Sequence, residues 1–170
     1  MQLKNYIRSI ENHPVEGVTF RDITPILQNG PVFQDAIKQM AELVKDIKFD
    51  KVIGIEARGF IIGAPLATYL GCGFVPIRKP GKLPFEKVTQ EYQLEYGSDS
   101  IEMHIDSLKE GERVLVVDDL LATGGTSKAA SALIEKVGGK VESFLYLIEL
   151  IDLEGRKKIG PYEVRSLLKY

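Results

Sequence analysis

Val114–Thr126 reads VLVVDDLLATGGT. Four apolar residues (Val114, Leu115, Val116, Val117) run into Asp118 and Asp119. A small-residue loop, Ala122-Thr123-Gly124-Gly125-Thr126, then precedes a helical pattern. This order predicts a buried strand, an acidic strand end and a loop at a helix N-terminus. In an open parallel sheet, ligands bind outside the carboxyl ends of the strands. Glycines let the backbone approach a phosphate, and the N–H groups of the following helix point at it. Phosphate beside a carboxylate pair points to a phosphorylated sugar, with phosphate on the loop and hydroxyls on the acids. The stretch contains neither GxxxxGK[ST] nor GxGxxG, which disfavours a P-loop NTPase and a dinucleotide fold. The plain alternative is an ordinary strand–turn–helix with acids at the strand end.

Working outward, a chain of 170 residues predicts one domain with a single core. Its hydrophobic fraction of 44% is ordinary for a globular protein. A formal net charge of -2 gives no electrostatic footprint for nucleic acid, so no such partner is expected. Cys72 is the single cysteine. It excludes an internal disulfide, and with no C-x-x-C pair or Cys/His cluster a structural zinc site is disfavoured. Its apolar neighbours predict a buried structural thiol. The N-terminal MQLKNYIRSIENHP carries charges throughout and does not read as a signal peptide, and no stretch is apolar enough to span a membrane. A cytoplasmic, reduced setting without a membrane partner is expected.

Leu3, Tyr6, Ile7 and Ile10 recur at helical spacing, predicting a short helix over 2–12 that Pro14 stops. Residues 13–30 read as an ordered loop. Pro31 suits a first helical turn, and Phe33, Ile37, Met40, Ala41 and Val44 form the stripe of a helix ending near Ile47. Lys51–Glu56 reads as a buried strand, and 59–70 as a helix that Pro65 kinks or in fact begins. Residues 73–78 form another strand and 79–85 a loop. Alternation in 88–103 around Gly97-Ser98-Asp99 predicts a hairpin. After the strand at Val114 come a helix over 126–137, a strand over 141–150 and a last short strand in VRSLLKY. Strands alternating with helices imply βαβ units and a mostly parallel α/β sheet.

Four constellations carry chemistry. Asp118 and Asp119, as pure acceptors, suit the two hydroxyls of a sugar. Residues 122–127 suit a phosphate through backbone N–H groups and the hydroxyls of Thr123, Thr126 and Ser127, which suit helix capping equally. In IEARGF, Arg58 follows a strand end and reads either as a phosphate ligand or as a surface ion pair. In IRKPGK, Arg78, Lys79 and Lys82 read as a clamp on a polyanion or as a solvated loop. In EGVTFRDITPIL, Phe20 beside Arg21 and Asp22 can stack on a flat base or staple the next helix.

These pieces, in this order, resemble the adenine-specific enzymes of the type I phosphoribosyltransferase family. The match runs from GVTFRDITPIL through EARGF, RKPGKLP, LEYG and VVDDLLATGGT to SLLKY. The resemblance implies one domain over 1–170: a central, mostly parallel sheet flanked by helices, a base-binding hood from about 1–30 and a mobile hairpin flap over about 84–103. It implies transfer of the 5-phosphoribosyl group from 5-phosphoribosyl-1-pyrophosphate (PRPP) to N9 of adenine. The products are AMP and pyrophosphate, with inversion at C1', and the enzyme is a homodimer.

By the same resemblance, Asp118 and Asp119 bind the ribose, and Ala122, Thr123, Gly124, Gly125 and Thr126 the 5'-phosphate. Glu56, Ala57, Arg58, Arg78, Lys79 and Lys82 form the pyrophosphate site, with a cis Glu56–Ala57 peptide. Val18, Thr19, Phe20, Arg21 and Leu150 line the base pocket. Glu95, Arg58 and Tyr96 form the catalytic group, Glu95 either handling a proton on adenine or only ordering the flap. The cofactor is Mg²⁺, carried by PRPP without a direct protein ligand; water linking it to Asp118 and Asp119 stays open. Relatives acting on 6-oxopurines carry an Asp where this chain has Ala122. A pocket of backbone donors and acceptors can separate the bases, because a mismatched buried polar group costs about 1–3 kcal/mol. Glu16 and Thr19 depart from the family pattern, and KLPFEKVTQEY falls where the family varies. A transferase for another base and a PRPP-sensing regulator are the rival readings; Ala122 and VTFRDI oppose the first, and the lack of a basic face opposes the second.

Overall fold

Strands β3 (Lys51–Ile55) and β7 (Arg113–Leu121) lie side by side in a five-stranded sheet. The computed structural model describes residues 1–94 and 97–170. The other strands of the sheet are β4 (Gly73–Ile77), β8 (Lys140–Glu149) and β9 (Glu163–Lys169), in the order β4-β3-β7-β8-β9, every neighbouring pair parallel. From β3 the chain moves one way to β4, then returns to the other side of β3 as β7. The strand order therefore reverses between β3 and β7, the position where an open parallel sheet leaves a crevice at its carboxyl edge. Val52, Ile53, Val114, Leu115, Val116, Val117, Phe144 and Leu145 are buried along these strands, as their apolar runs require.

The crossovers are α3 (Arg58–Leu70) between β3 and β4, and α4 (Gly125–Lys136) between β7 and β8. Pro65 sits inside α3 and does not mark its start. The acceptor it leaves unpaired belongs to Ile61, whose residue is 43% exposed, so water can take that carbonyl. Gly71 ends the helix in the left-handed conformation. The predicted hairpin is present as β5 (Lys87–Gln93) paired antiparallel with β6 (Ser98–His104). Val88 and Tyr92 pack from β5 onto the core, and a bridge from Arg78 to Glu102 ties β6 to the end of β4.

At the opposite edge of the sheet, Asp50 joins the beginnings of β3 and β7. It accepts from the Arg113 backbone N–H at 2.9 Å, from Nε at 3.1 Å and from Nη2 at 2.8 Å. These bonds hold its carboxyl down at about 2. A carboxyl held below its unfolded value of about 3.9 contributes stability that is complete above that value and is lost as pH falls through the folded one. Asp50→Asn is expected to flatten the acid limb of the melting-temperature profile between about pH 4 and 2. A variant acid limb superimposing on that of wild type would remove Asp50 from this role.

The chain divides into two compact units, Met1–Gln39 and Met40–Tyr170. In the first, the predicted 2–12 helix is corrected. Only a 3-10 turn forms, over Leu3–Tyr6, and β1 (Arg8–Ile10) follows, paired antiparallel with β2 (Phe20–Asp22). Of the four residues at helical spacing only Leu3 is fully buried, while Ile10 is 38% exposed. An isolated helix of that length is marginal in water, and pairing with β2 satisfies the same backbone groups. The predicted 13–30 loop accordingly contains β2 and α1 (Thr24–Leu27), whose first turn Asp22 caps by accepting from the Thr24 N–H at 2.9 Å. Helix α2 spans Gly30–Leu43.

Candidate active site

The carboxyl ends of β3 and β7 carry the site. Their register sets Gly54 opposite Val117, so the residues following each strand project from the same edge. The acid pair does not end β7. The strand runs on to Leu121, with Asp118 opposite Tyr146 of β8. This corrects the predicted acidic strand end: β8 continues alongside, and its backbone keeps the ladder going past the acids.

A cavity of about 260 Å³ is lined by Ile55, Glu56, Ala57, Arg58, Lys79, Asp118, Asp119 and Thr126. The Glu56–Ala57 peptide is cis. Arg58, the first residue of α3, pairs its Nε with Asp119 Oδ2 at 2.6 Å. Gly59 permits this approach: a Cβ there would lie 2.9 Å from the Val117 carbonyl oxygen and 3.0 Å from Asp118 Oδ1. Burial, then repulsion from the neighbouring Asp119 carboxylate, pushes the Asp118 carboxyl well above the usual range, and the Arg58 charge opposes the rise only in part. The cavity therefore holds a crowded carboxyl pair in which positive charge placed nearby would favour ionisation of both groups.

The loop 122–126 borders an adjoining cavity of about 90 Å³, lined by Asp118, Leu120 and Leu121 together with Ala122–Ser127. Gly124 adopts φ +83°, and a Cβ on it would overlap the carbonyl oxygen of Gly155. Gly155 opens α5 (Gly155–Ile159), a helix the sequence pattern did not reveal. Arg156 of α5 grips Glu149 at the end of β8 through two bonds of 2.6 Å, so α5 is anchored to the sheet while its first residue backs the loop. At the start of α4, Ser127 Oγ and Tyr146 Oη share a buried hydrogen bond of 2.5 Å.

Glu56 gathers cations. Its carboxylate accepts from the Lys79 backbone N–H at 2.8 Å, pairs with Lys82, and faces Arg78 Nε at 3.5 Å. Burial alone would raise its pKa, but these partners hold it below the ordinary value. Arg78 and Lys82 are thus placed on Glu56, whereas Lys79 lines the cavity itself. Lys79 Nζ pairs with Asp99 and donates to Tyr92 Oη at 3.3 Å. Sequence reading missed Tyr92 and Asp99; the alternation through β5 was the only signal, and it marks a strand face without naming a partner. Among the described residues no group of three His, Cys, Asp or Glu converges as a metal cluster.

Val18, Thr19, Phe20 and Arg21 lie in the Met1–Gln39 unit. Phe20 meets the His13 ring edge-on with centroids 5.3 Å apart, and Arg21 Nη1 donates to Ser9 Oγ at 2.5 Å. Leu150 lies in the other unit, its N–H donating to the Leu121 carbonyl at 2.9 Å. Glu95 and Tyr96 lie outside the described residues.

A family model for the phosphoribosyl transferase domain matches residues 22–168. The chain belongs to the phosphoribosyl transferase family. Among its relatives is an adenine phosphoribosyltransferase of Thermotoga petrophila, 52% identical over 170 residues, the whole of both chains. The crystal structure of adenine phosphoribosyltransferase from Thermoanaerobacter pseudethanolicus superposes with a TM-score of 0.97 at 51% identity, covering 99% of this chain and 98% of that one. The Saccharomyces cerevisiae enzyme, complexed with adenine and an imino-altritol bisphosphate, gives a TM-score of 0.93 at 39% identity, covering 98% and 97%. The phosphoribosyl transferase fold expected from the sequence is therefore the fold observed: a parallel sheet flanked by helices, with a hairpin beside the site.

Proposed function

We infer that the chain is an adenine phosphoribosyltransferase that converts adenine and PRPP to AMP and pyrophosphate, a purine-salvage reaction. The observation that carries the reaction class is the single cavity where Asp118, Asp119, Arg58, Lys79 and Thr126 converge. The choice of adenine rests on the relatives' activity and on Ala122 where 6-oxopurine enzymes carry an acid.

In this reading the loop 122–126 takes the 5'-phosphate on backbone N–H groups at the start of α4, where the helix dipole favours an anion. Asp118 and Asp119 accept from the ribose hydroxyls. Arg58, Lys79 and the Glu56–Ala57 backbone receive the pyrophosphate, with Arg78 and Lys82 holding Glu56 in place. As the C1'–O bond lengthens, positive charge grows on the sugar next to the Asp118–Asp119 pair, whose ionised form it stabilises, which favours the transition state over the ground state. Adenine N9 then enters from the face opposite the departing pyrophosphate. In this reading Val18, Thr19, Phe20 and Arg21 are the base-binding residues of the Met1–Gln39 unit. Glu95 handles the adenine proton beside Tyr96, while the hairpin over 84–103 closes to keep water from C1'.

Mg²⁺ would be held by the substrate's own oxygens and water, and the carboxyl oxygens of Asp118 and Asp119 suit hydrogen bonds from that water. When bound there, Mg²⁺ neutralises charge on the leaving pyrophosphate. The protein works as a homodimer in a reducing cytoplasm. Cys72, the single cysteine, fits that setting, since burial pushes its thiol up and away from reactivity.

Turnover with PRPP and Mg²⁺ tests the assignment when adenine, hypoxanthine, guanine, xanthine and orotate are offered separately. AMP from adenine alone is the expected result. Turnover of a 6-oxopurine would overturn the base assignment, and tight PRPP binding without turnover of any base would favour a PRPP-sensing regulator.

A further inference from the structure

Tyr92 Oη sits at the centre of a small network bridging three segments of the site. It donates to Asp99 Oδ2 at 3.1 Å and accepts from Thr126 Oγ1 at 3.4 Å and from Lys79 Nζ at 3.3 Å. Asp99 also pairs directly with Lys79, and the Lys79 ammonium lies 5.8 Å from the centre of the Tyr92 ring. Tyr92 and Asp99 face each other across the hairpin in register. Lys79 and Thr126, by contrast, both line the cavity that holds the acid pair. Two hairpin residues thus occupy the two cavity residues that, on the functional reading above, meet opposite ends of one substrate: Lys79 the pyrophosphate and Thr126 the 5'-phosphate.

We propose that Asp99 and Tyr92 are positioning residues that stand in for the substrate's two phosphate ends, so that PRPP and the hairpin compete for Lys79 and Thr126. The proposal rests on the adenine phosphoribosyltransferase reading and goes beyond it by naming what holds the hairpin before substrate arrives. Lys79 has one ammonium to share, and a polyanion offers it more negative charge than one carboxylate. The Lys79 and Asp99 side chains are 38% and 31% exposed, so the pair is screened and exchangeable, not locked. Binding both ends of PRPP releases both hairpin contacts at once, which couples substrate occupancy to hairpin position. Each end alone, as free pyrophosphate or free phosphate, releases only one.

The test is calorimetric titration of the full-length protein with PRPP, and separately with pyrophosphate, each with Mg²⁺. Asp99→Asn is expected to bind both about two- to fivefold more tightly than wild type, the range set by a partly exposed ion pair. The gain should shrink as salt is raised. Tyr92→Phe should tighten PRPP in the same direction and keeps the ring that packs on the core, so it decides the question if Asp99→Asn folds poorly. In steady state the KM for PRPP should fall without a rise in kcat. A residue that only stabilises the hairpin would leave affinity unchanged or weaken it, and that result in both variants overturns the proposal while wild-type AMP synthesis leaves the functional reading intact. Failure of the wild-type protein to bind PRPP would overturn both.

Discussion

Asp119→Asn is expected to lower kcat/KM for PRPP by about 10²- to 10³-fold, the usual cost of removing one preorganised electrostatic partner of a developing charge. The substitution keeps the shape of the side chain and removes its charge. Asp119 is the better buried partner of the Arg58 pair, its side chain 9% exposed against 46% for Arg58, so little water is present to replace it. The change also removes the repulsion that helps to raise Asp118, so the Asp118 carboxyl should return towards its ordinary value. Stability should therefore hold while activity collapses, which separates the chemical role from a folding role. Initial rates against PRPP concentration, with a thermal melt of the same sample, decide the matter. A kcat/KM close to that of wild type would mean that the acid pair does not face the ribose.

Gly124→Ala should abolish measurable PRPP saturation, whereas Gly125→Ala, one residue along, should change the KM for PRPP by only about twofold. At Gly124 two costs coincide. The backbone is left-handed at φ +83°, and the new methyl group would overlap the Gly155 carbonyl oxygen, a backbone atom held by the anchored start of α5. The loop must move or α5 must lift, and either change displaces N–H groups from a phosphate they need at hydrogen-bond distance. At Gly125 a Cβ meets only the far end of the flexible Lys158 side chain, Nζ at 3.6 Å and Cε at 3.8 Å. Alanine there also suits a helix better than glycine. Equal KM values for the two variants would show that the Gly124–Gly155 contact is not what shapes the loop.

The contrast between these glycines marks how far the residues alone carry the account. Periodicity placed all five strands of the parallel sheet, and the central ones, β3, β7 and β8, stood out because strands buried on both faces must be nearly continuous in apolar residues. It placed the β5–β6 hairpin because alternation breaks at Gly97, and it placed the 122–126 loop because its small residues border the start of α4. It failed at 2–12, where helical spacing was overridden by pairing of β1 with β2. It also missed α5, whose five residues are too few to show a period.

For the site the division is similar. VLVVDDLLATGGT by itself placed a buried strand, the adjacent acids and a small-residue loop before a helix, since each follows from local chemistry within thirteen residues. Asp119 paired with Arg58, Glu56 gripped by Arg78 and Lys82, and Asp99 sharing Lys79 with Tyr92 join residues far apart in the chain. No local pattern encodes which of several cations meets which of several acids. Only the tertiary structure decided those pairings, because the order β4-β3-β7 brings the strand ends together and the hairpin, seated on the core through Val88, Ile101 and Met103, sets Tyr92 and Asp99 beside them.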